Sequence, residues 1–187
     1  MRVRIVLAAV LALSSVSAAQ AQDSGKKPNE VAFSLGSEKY FHRSSTNDQH
    51  EYTPAGQEDL NAWKDMVTLH YYRKATDGDA LAAVANTVLQ NYRSAKGIVV
   101  KTNSVPRTND KPAEHLVVVI LGRPEFIEAA FARFRMHDGV GSAAIYSHRI
   151  YGSKIGNDMS AWLEKNGPDI ERTLMKWDAM PKLPAPK

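Results

Sequence analysis

The sequence predicts an α+β protein whose mainly antiparallel β-sheet is flanked by helices, forming an α/β sandwich. Three observations support this class. One long amphipathic helical segment lies near the middle of the chain, a second helical region closes it, and runs rich in β-branched and aromatic residues fill most of the rest. The predicted order is two strands, a helix, three or four more strands and a terminal helix. No internal repeat divides residues 31–180, so we expect one domain there.

The first 21 residues have the layout of a secretory signal peptide. Arg2 and Arg4 form a short positive region, an uncharged apolar run follows, and an Ala-Gln-Ala motif ends at Ala21. A membrane span needs about 20 apolar residues, and this run is far shorter. We therefore expect cleavage after Ala21, a periplasmic or secreted protein, and no membrane span.

The two ends of the remaining chain lack apolar periodicity. Residues 22–30 (QDSGKKPNE) are predicted to be a flexible leader, and residues 181–187 (PKLPAPK) a loose Pro-rich tail. Residues 43–52 (RSSTNDQHEY) are polar and are interpreted as a mobile loop or an insertion.

Charge and cysteine content exclude several function classes. The chain has 24 basic and 20 acidic residues, and loss of Arg2 and Arg4 with the signal peptide leaves a net charge of about +2. The sequence contains no stripe of basic residues, which disfavours a nucleic-acid binder. The chain has no cysteine, so thiol nucleophiles, thiolate metal sites and redox motifs are excluded.

Two segments are predicted to be helical. Residues 78–97 carry one apolar stripe at helical spacing, with Asp77 or Asp79 as N-terminal cap and Gly97 as left-handed C-terminal cap. The second runs from Asp158 towards Met180, and we expect Asn166-Gly167-Pro168 to break it in two. A shorter helix after Thr53-Pro54 would carry Leu60 and Trp63.

Extended runs surround the helices. Strands are predicted at residues 30–36, 64–73, 97–105 and 115–122, and residues 107–112 would form a hairpin loop between the last two. The run HLVVVILG, residues 115–122, is apolar on both faces, which indicates a central strand covered on each side.

Residues 124–152 are predicted to contain a β-hairpin. Asp138-Gly139 is a strong two-residue hairpin signal, and the segment before it is interpreted as a short turn through Ala129 followed by a strand over residues 131–136. A helix beginning at Pro124 is the alternative. Residues 143–152 (AAIYSHRIYG) form the returning strand.

The hairpin assigns side chains to two faces. Pairing His137 with Val140 places a mostly apolar set on the face expected to lie against a helix: Ala132, Phe134, Met136, Ala143, Ile145, Ser147, Arg149 and Tyr151. The opposite face is the more polar one: Phe131, Arg133, Arg135, Ser142, Ala144, Tyr146, His148 and Ile150. A slip of one residue in one strand would scramble this partition.

Four residues of the polar face form the candidate binding site. Arg133, Arg135, Tyr146 and His148 are interpreted as an outward-facing patch for a carboxylate, a phosphate or an acidic partner, because arginine offers a planar fork of donors. A solvated strand face without function is the competing interpretation. A catalytic role for His148 is disfavoured, since no acid or nucleophile is near it in sequence. No metal-ligand spacing, nucleophile elbow or phosphate loop is present, and no cofactor is predicted.

The order of elements resembles the α/β sandwich of PsbP-like, Mog1-like and DcrB-like proteins. The resemblance depends on AWKDMVTLHYY, DALAAVANTVLQNY and HLVVVILG leading into FARFRMHDGVGSAAIYSHRIYG and a closing helix. The chain also looks like secreted proteobacterial proteins from which no functional residue can be carried over. The resemblance implies an antiparallel sheet with flanking helices, in a module that binds or assists partners.

The sequence therefore favours a non-enzymatic periplasmic or secreted protein that interacts with another envelope or secreted protein. An envelope accessory factor and an immunity-type inhibitor are both open at this point. The alternative is a hydrolase or small-ligand binder that uses Arg133, Tyr146 and His148, and a third possibility is a structural envelope component that self-associates.

Overall fold

The computed structural model describes residues 30–152 and 155–183. The predicted signal peptide, nearly all of the predicted leader and residues 184–187 of the predicted tail lie outside these ranges. Neither helix in the described part of the chain is both long and apolar enough to cross a membrane.

The predicted α+β class is confirmed, since the described residues form one eight-stranded antiparallel sheet and two helices. In chain order the elements are β1 (Val31–Leu35), β2 (Glu38–Thr46), β3 (Gln49–Thr53), β4 (Asp65–Tyr72), α1 (Gly78–Ser94), β5 (Ile98–Val105), β6 (Glu114–Gly122), β7 (Phe126–His137), β8 (Val140–Tyr151) and α2 (Gly156–Lys176).

The sheet is built from two four-stranded meanders. Its strand order is β1-β2-β3-β4-β8-β7-β6-β5, so the last strand of each meander pairs with the other at the centre of the sheet. The β4–β8 pair is antiparallel and runs over eight residues from Asp65↔His148 to Tyr72↔Gly141. This topology leaves β1 and β5 as the two edge strands.

One helix packs on each face of the sheet. On the first face, called here the α2 face, α2 packs through Met159, Leu174 and the following Trp177 against side chains of both meanders. On the other face, the α1 face, Leu81, Ala85 and Tyr92 pack over the second meander. The prediction that residues 115–122 form a strand covered on both sides is confirmed, since β6 contributes to both cores.

The predicted β7–β8 hairpin is confirmed in turn and register. Asp138 and Gly139 have φ of 50° and 80°, the positive values that a two-residue hairpin turn requires. His137 pairs with Val140, so the predicted partition of side chains between the two faces holds. The predicted turn through Ala129 is wrong, because β7 is one continuous strand from Phe126.

The first meander contains two strands that the sequence did not indicate. Residues 43–52, interpreted as a loop or insertion, instead lie in β2 and β3, which turn at Asn47 (φ 55°). The short helix predicted after Thr53-Pro54 is also wrong, since this segment is an irregular connection. Here Arg43 Nε donates to Thr53 Oγ1 and the Thr53 hydroxyl donates to the carbonyl of Gln57. These bonds hold the connection against β2 and β3.

The predicted helix at residues 78–97 is confirmed, with a different C-terminal end. The Asp77 side chain accepts from the Ala80 amide as N-terminal cap. The left-handed residue after the helix is Lys96 (φ 62°), not Gly97. A Cβ at Gly97 would lie 2.9 Å from the carbonyl oxygen of Tyr92 and 2.8 Å from a methyl of Val119. Gly97 therefore allows the close approach of α1 to β6.

The predicted break in the closing helix is wrong, because α2 runs without interruption with Pro168 inside it. Residues on both sides of Pro168, Trp162 and Leu163 before it and Ile170 and Leu174 after it, pack into the same core. Packing of one helix face on the core stabilises a helix more than local propensity does. Here this packing compensates for the helical hydrogen bond that Pro168, which has no amide N–H, cannot donate.

The first residues of the predicted loose tail contact the end of the sheet. The carbonyl of Pro181 accepts from the hydroxyl of Tyr71 and lies 2.9 Å from His137 Nε2. The amide of Leu183 donates to Asp138. Residues 181–183 therefore pack against the end of the sheet at which β7 turns into β8.

Candidate functional site

The four predicted site residues share the α2 face, as the hairpin register required, but they do not form an outward patch. Arg133 and Tyr146 are 3% and 9% exposed, because α2 lies over this face. The expectation of an exposed cationic and phenolic surface is wrong for this reason. The structure divides the four residues into two groups at different points along α2.

Arg133 and Arg135 hold the C-terminal end of α2. Arg133 Nη1 donates to the carbonyls of Leu174 and Trp177 at 2.8 and 2.7 Å, and Arg133 Nε donates to Glu114 at 2.8 Å. The last carbonyls of a helix have no partner within it, so a buried guanidinium there serves as a cap. Arg135 also reaches Trp177 O and pairs with Asp178 at 2.6 Å.

Tyr146 and His148 converge on one carboxylate under the N-terminal half of α2. The Tyr146 hydroxyl donates to Asp65 Oδ1 at 2.6 Å, and His148 Nδ1 lies 2.8 Å from the same oxygen. Asp65 is directly opposite His148 in the β4–β8 register. The three side chains are named here the Asp65 cluster.

Two further residues fix the geometry of the Asp65 cluster. The side-chain oxygen of Gln57 accepts from the amides of Lys64 and Asp65, both at 2.7 Å. The indole of Trp162 on α2 stacks on the His148 ring, with centroids 3.9 Å apart and planes 3° from parallel. A histidine that is oriented by a carboxylate at Nδ1 presents Nε2 as its proton-exchanging atom.

The electrostatics of the Asp65 cluster favour an ionised carboxylate beside a neutral phenol. Burial alone would raise the pKa of Asp65, but the hydrogen bonds from His148 and Tyr146 outweigh it and hold this pKa below its ordinary value of 3.8. Burial and the nearby Asp65 charge raise the pKa of Tyr146 well above its ordinary range. The cluster therefore holds an ionised Asp65 beside a Tyr146 hydroxyl that keeps its proton.

Sequence reasoning missed Asp65, Gln57 and Trp162. Asp65 is 83 residues from His148 along the chain, and the pairing of β4 with β8 brings them together. The signal available was an acidic residue at the second position of the predicted strand 64–73. Only the order of strands in the sheet shows that His148 is its partner.

The exposed apolar residues concentrate on an edge strand. Of the large hydrophobic side chains described as exposed, Ile98, Val100 and Val105 lie on β5, with 66%, 51% and 47% exposure. Within the described part of the chain, no strand of the sheet lies beyond β5. Val31, at 41% exposure, is at the opposite edge on β1.

A depression lies beside one of the predicted site residues, and the described ranges contain no metal-binding cluster. The depression is lined by Lys111, Glu114, Arg135 and Asp178, among others, so of the predicted site residues it includes Arg135. No group of three or more His, Asp or Glu side chains in the described part of the chain is arranged to hold a metal ion.

Comparisons with known proteins give a family and a distant structural likeness. A family model matches residues 31–177, and no curated protein matches the chain. The crystal structure of human STARD10 is similar at 7% identity and a TM-score of 0.31, covering 74% of each chain. STARD10 is not a PsbP-like, Mog1-like or DcrB-like protein.

Proposed function

The chain belongs to the family whose model matches residues 31–177, and we propose that it is an exported, non-enzymatic protein that binds an extended segment of another envelope or secreted protein along the β5 edge. The concentration of exposed apolar side chains on this strand carries the proposal. An edge strand offers unpaired backbone donors and acceptors to a partner strand, and contiguous exposed apolar surface marks interaction sites.

Addition of a partner strand would use both the unpaired backbone edge of β5 and its exposed apolar side chains. Main-chain hydrogen bonds to an added strand supply affinity, while side chains on alternate faces supply selectivity. Ile98 and Val105 lie at the two ends of β5, so an added strand of similar length would cover both. The bulge between Val99 and Lys101 and the Lys101 charge limit indiscriminate pairing at this edge.

Paired substitutions at the two edges test this proposal. Ile98→Lys with Val105→Lys alters exposed side chains on β5, so folding should be preserved, and Val31→Lys makes the same change on β1. In a pull-down from envelope extract, we expect a partner captured by the wild type and the β1 variant and lost from the β5 variant. A partner retained by the β5 variant contradicts the proposal.

Self-association is separated from partner binding by light scattering. A dimer formed by the wild type and abolished only in the β5 variant would assign the edge to a second copy of this chain, which would replace the proposed partner. A monomer in both proteins, together with the capture pattern above, supports a different protein as the partner.

Export is part of the same proposal and depends on the first 21 residues. Expression of the full chain in a Gram-negative host should yield a periplasmic or secreted product with Gln22 at its N-terminus, read by intact mass. A cytoplasmic product that retains Met1 would contradict export. A superfamily relation to PsbP-like, Mog1-like or DcrB-like proteins also stays a proposal, and it is based on element order.

The Asp65 cluster favours a second candidate, binding or hydrolysis of a small ligand at His148. Its support is the carboxylate at Nδ1 and the fixed ring stack, which are the orienting contacts of a general base. A ligand and ester-substrate screen should then give a response that is removed by His148→Ala and weakened by Asp65→Asn. His115→Ala, on β6, is the control. An identical response in all variants rejects this candidate.

A further inference from the structure

The first meander brings a serine into contact with two histidines. Ser45 Oγ on β2 lies 2.7 Å from His42 Nε2 and 2.7 Å from His50 Nδ1. Ser45 is exposed, His42 is half-buried and His50, on β3, is buried. These three side chains are named here the Ser45 cluster. The cluster lies at the β2–β3 turn, within the segment that looked like a polar loop in the sequence.

A β-bulge places the three side chains on one face of the sheet. Ser45 pairs with His50 and His42 pairs with Tyr52, and the register shifts by one residue between His42 and Ser44. In a regular strand, residues three positions apart face opposite sides. The extra residue of the bulge therefore turns His42 to the side that Ser45 and His50 share. Bulges are over-represented next to active sites, where they redirect a side chain.

Ring contacts hold both imidazoles in place. The His50 ring packs edge-on against Tyr71, with centroids 5.7 Å apart, and the His42 ring packs in the same way against Tyr52 at 5.4 Å. Both tyrosines belong to the core on the α2 face. The folded core thus orients the two imidazoles, while Ser45 between them is exposed to solvent.

The direction of the hydrogen bonds follows from the buried side of His50. Its Nε2 is buried and has no hydrogen-bond partner among the described residues. An unpaired buried N–H group is rarer in proteins than an unpaired acceptor, so the proton of the neutral ring belongs on Nδ1. Burial lowers the pKa of His50 and a charge on His42 lowers it further, with Asp48 opposing them. His50 then donates to Ser45 Oγ, and the Ser45 hydroxyl donates to His42 Nε2.

We propose that Ser45 is a nucleophile that takes up one acyl group from an activated ester, with His42 as general base and His50 as a positioning residue. A nucleophile in hydrogen-bond contact with a base that is itself held in place is the arrangement this reaction requires. Neither the β5 edge nor the Asp65 cluster shares a residue with this site, so the inference does not depend on the proposed strand addition.

The reaction is a transfer of the acyl group to oxygen. Ser45 Oγ attacks the carbonyl carbon of the ester, and the hydroxyl proton moves to His42 Nε2. The bond between the carbonyl carbon and the leaving oxygen then breaks, and an ester between the acyl group and Ser45 remains. His42 passes the proton to the leaving oxygen or, where the leaving group is a stable anion, to water.

Acetylation of the purified protein by p-nitrophenyl acetate tests the proposal. Nitrophenolate absorbance gives the rate, and peptide mass mapping after an acid quench gives the acetylated residue. We expect one acetyl group at Ser45, and we expect release by Ser45→Ala to fall to the rate of the reagent alone. Ser44→Ala is the matched control, because Ser44 pairs with Glu51 and faces away from both imidazoles. It should react as the wild type does.

Substitutions of the histidines separate their two roles. His42→Gln removes the base and should slow acetylation of Ser45 by about a hundredfold. His50→Leu removes one donor and should slow it by about fivefold, whereas His50→Asn, whose side-chain amide can donate in place of Nδ1, should recover most of that loss. His148→Ala should react as the wild type does, which distinguishes this site from the Asp65 cluster.

Three outcomes overturn the proposal. The first is equal nitrophenolate release by the wild type and Ser45→Ala. The second is acetyl groups mapped only to residues other than Ser45, a result that comes from the wild type and so does not depend on how any variant folds. The third is an unchanged rate in His42→Gln, which would remove the general base.

Discussion

Replacing Arg133 by methionine should be far more damaging than the same change at Arg135, although both are arginines on one strand facing α2. The Arg133 side chain is 3% exposed and pairs with Glu114, which is 22% exposed. Arg135 is 21% exposed and its partner Asp178 is 74% exposed. The contrast separates a buried ion pair from a surface one.

The magnitudes follow from burial. Removing the fully buried partner of an ion pair costs about 3–5 kcal/mol, because the Glu114 carboxylate, only 22% exposed, is left without its counterion. Arg133→Met also removes the donors to Leu174 O and Trp177 O. A surface pair contributes about 0–1 kcal/mol, so Arg135→Met should cost no more than that.

Urea denaturation measures both. With an m value of about 2 kcal/mol/M, Arg133→Met should lower the midpoint by about 1.5–2.5 M, and Arg135→Met by less than about 0.5 M. Adding Glu114→Gln to Arg133→Met should recover part of the loss, since it removes the uncompensated carboxylate. Equal midpoints for the two single variants would refute the assignment of Arg133 as the cap of α2.

Three further predictions concern positions where one atom or one proton decides the outcome. Gly97→Ala should lower the free energy of unfolding by about 1–3 kcal/mol, because the new Cβ would meet the Tyr92 carbonyl oxygen at 2.9 Å; an unchanged urea midpoint would refute this contact. Tyr92→Phe should leave the free energy of unfolding unchanged or raise it by about 1 kcal/mol, since the lost hydroxyl has no partner in the described structure; a clear drop in Tm would indicate a missed hydrogen bond. The pKa of Asp65 is lowered in the folded protein, so the stability that its carboxylate contributes is complete above its ordinary pKa of 3.8 and is lost as pH falls through the lowered value. Asp65→Asn should therefore reduce the fall of the urea midpoint with decreasing pH in this acid range. An unaltered fall would contradict this prediction.

Elements specified by local chemistry were predictable from the sequence. The Asp138-Gly139 turn needs positive φ at both residues, and few residue pairs supply it. That turn fixed the register of β7 and β8 and hence the division of sixteen side chains between two faces. The α1 stripe and its Asp77 cap were predictable for the same reason, since each depends on residues within a few positions of one another.

Elements that depend on residues distant in the sequence could not be predicted from it. The strands β2 and β3 are polar enough to look like a loop, and they are stabilised by pairing with β1 and β4. Pro168 is a local signal for a helix break, and packing on both sides of it overrides that signal. The Asp65 cluster depends on the pairing of β4 with β8, which joins the two meanders. No short stretch of the sequence indicates that these two strands are neighbours.

The error about Arg133 and Tyr146 has a physical cause that also indicates where function should be sought. A polar strand face usually means solvent when a sheet is covered on one side, but here both faces are covered at the centre by α1 and α2. Polar groups at the centre are therefore used to hold a helix end or to pair with each other. Exposed apolar side chains remain at the outer edge of the sheet, on β5. This edge offers binding free energy that folding has not already used, so substitutions at Ile98 and Val105 should change binding without changing stability, the reverse of substitutions at Arg133.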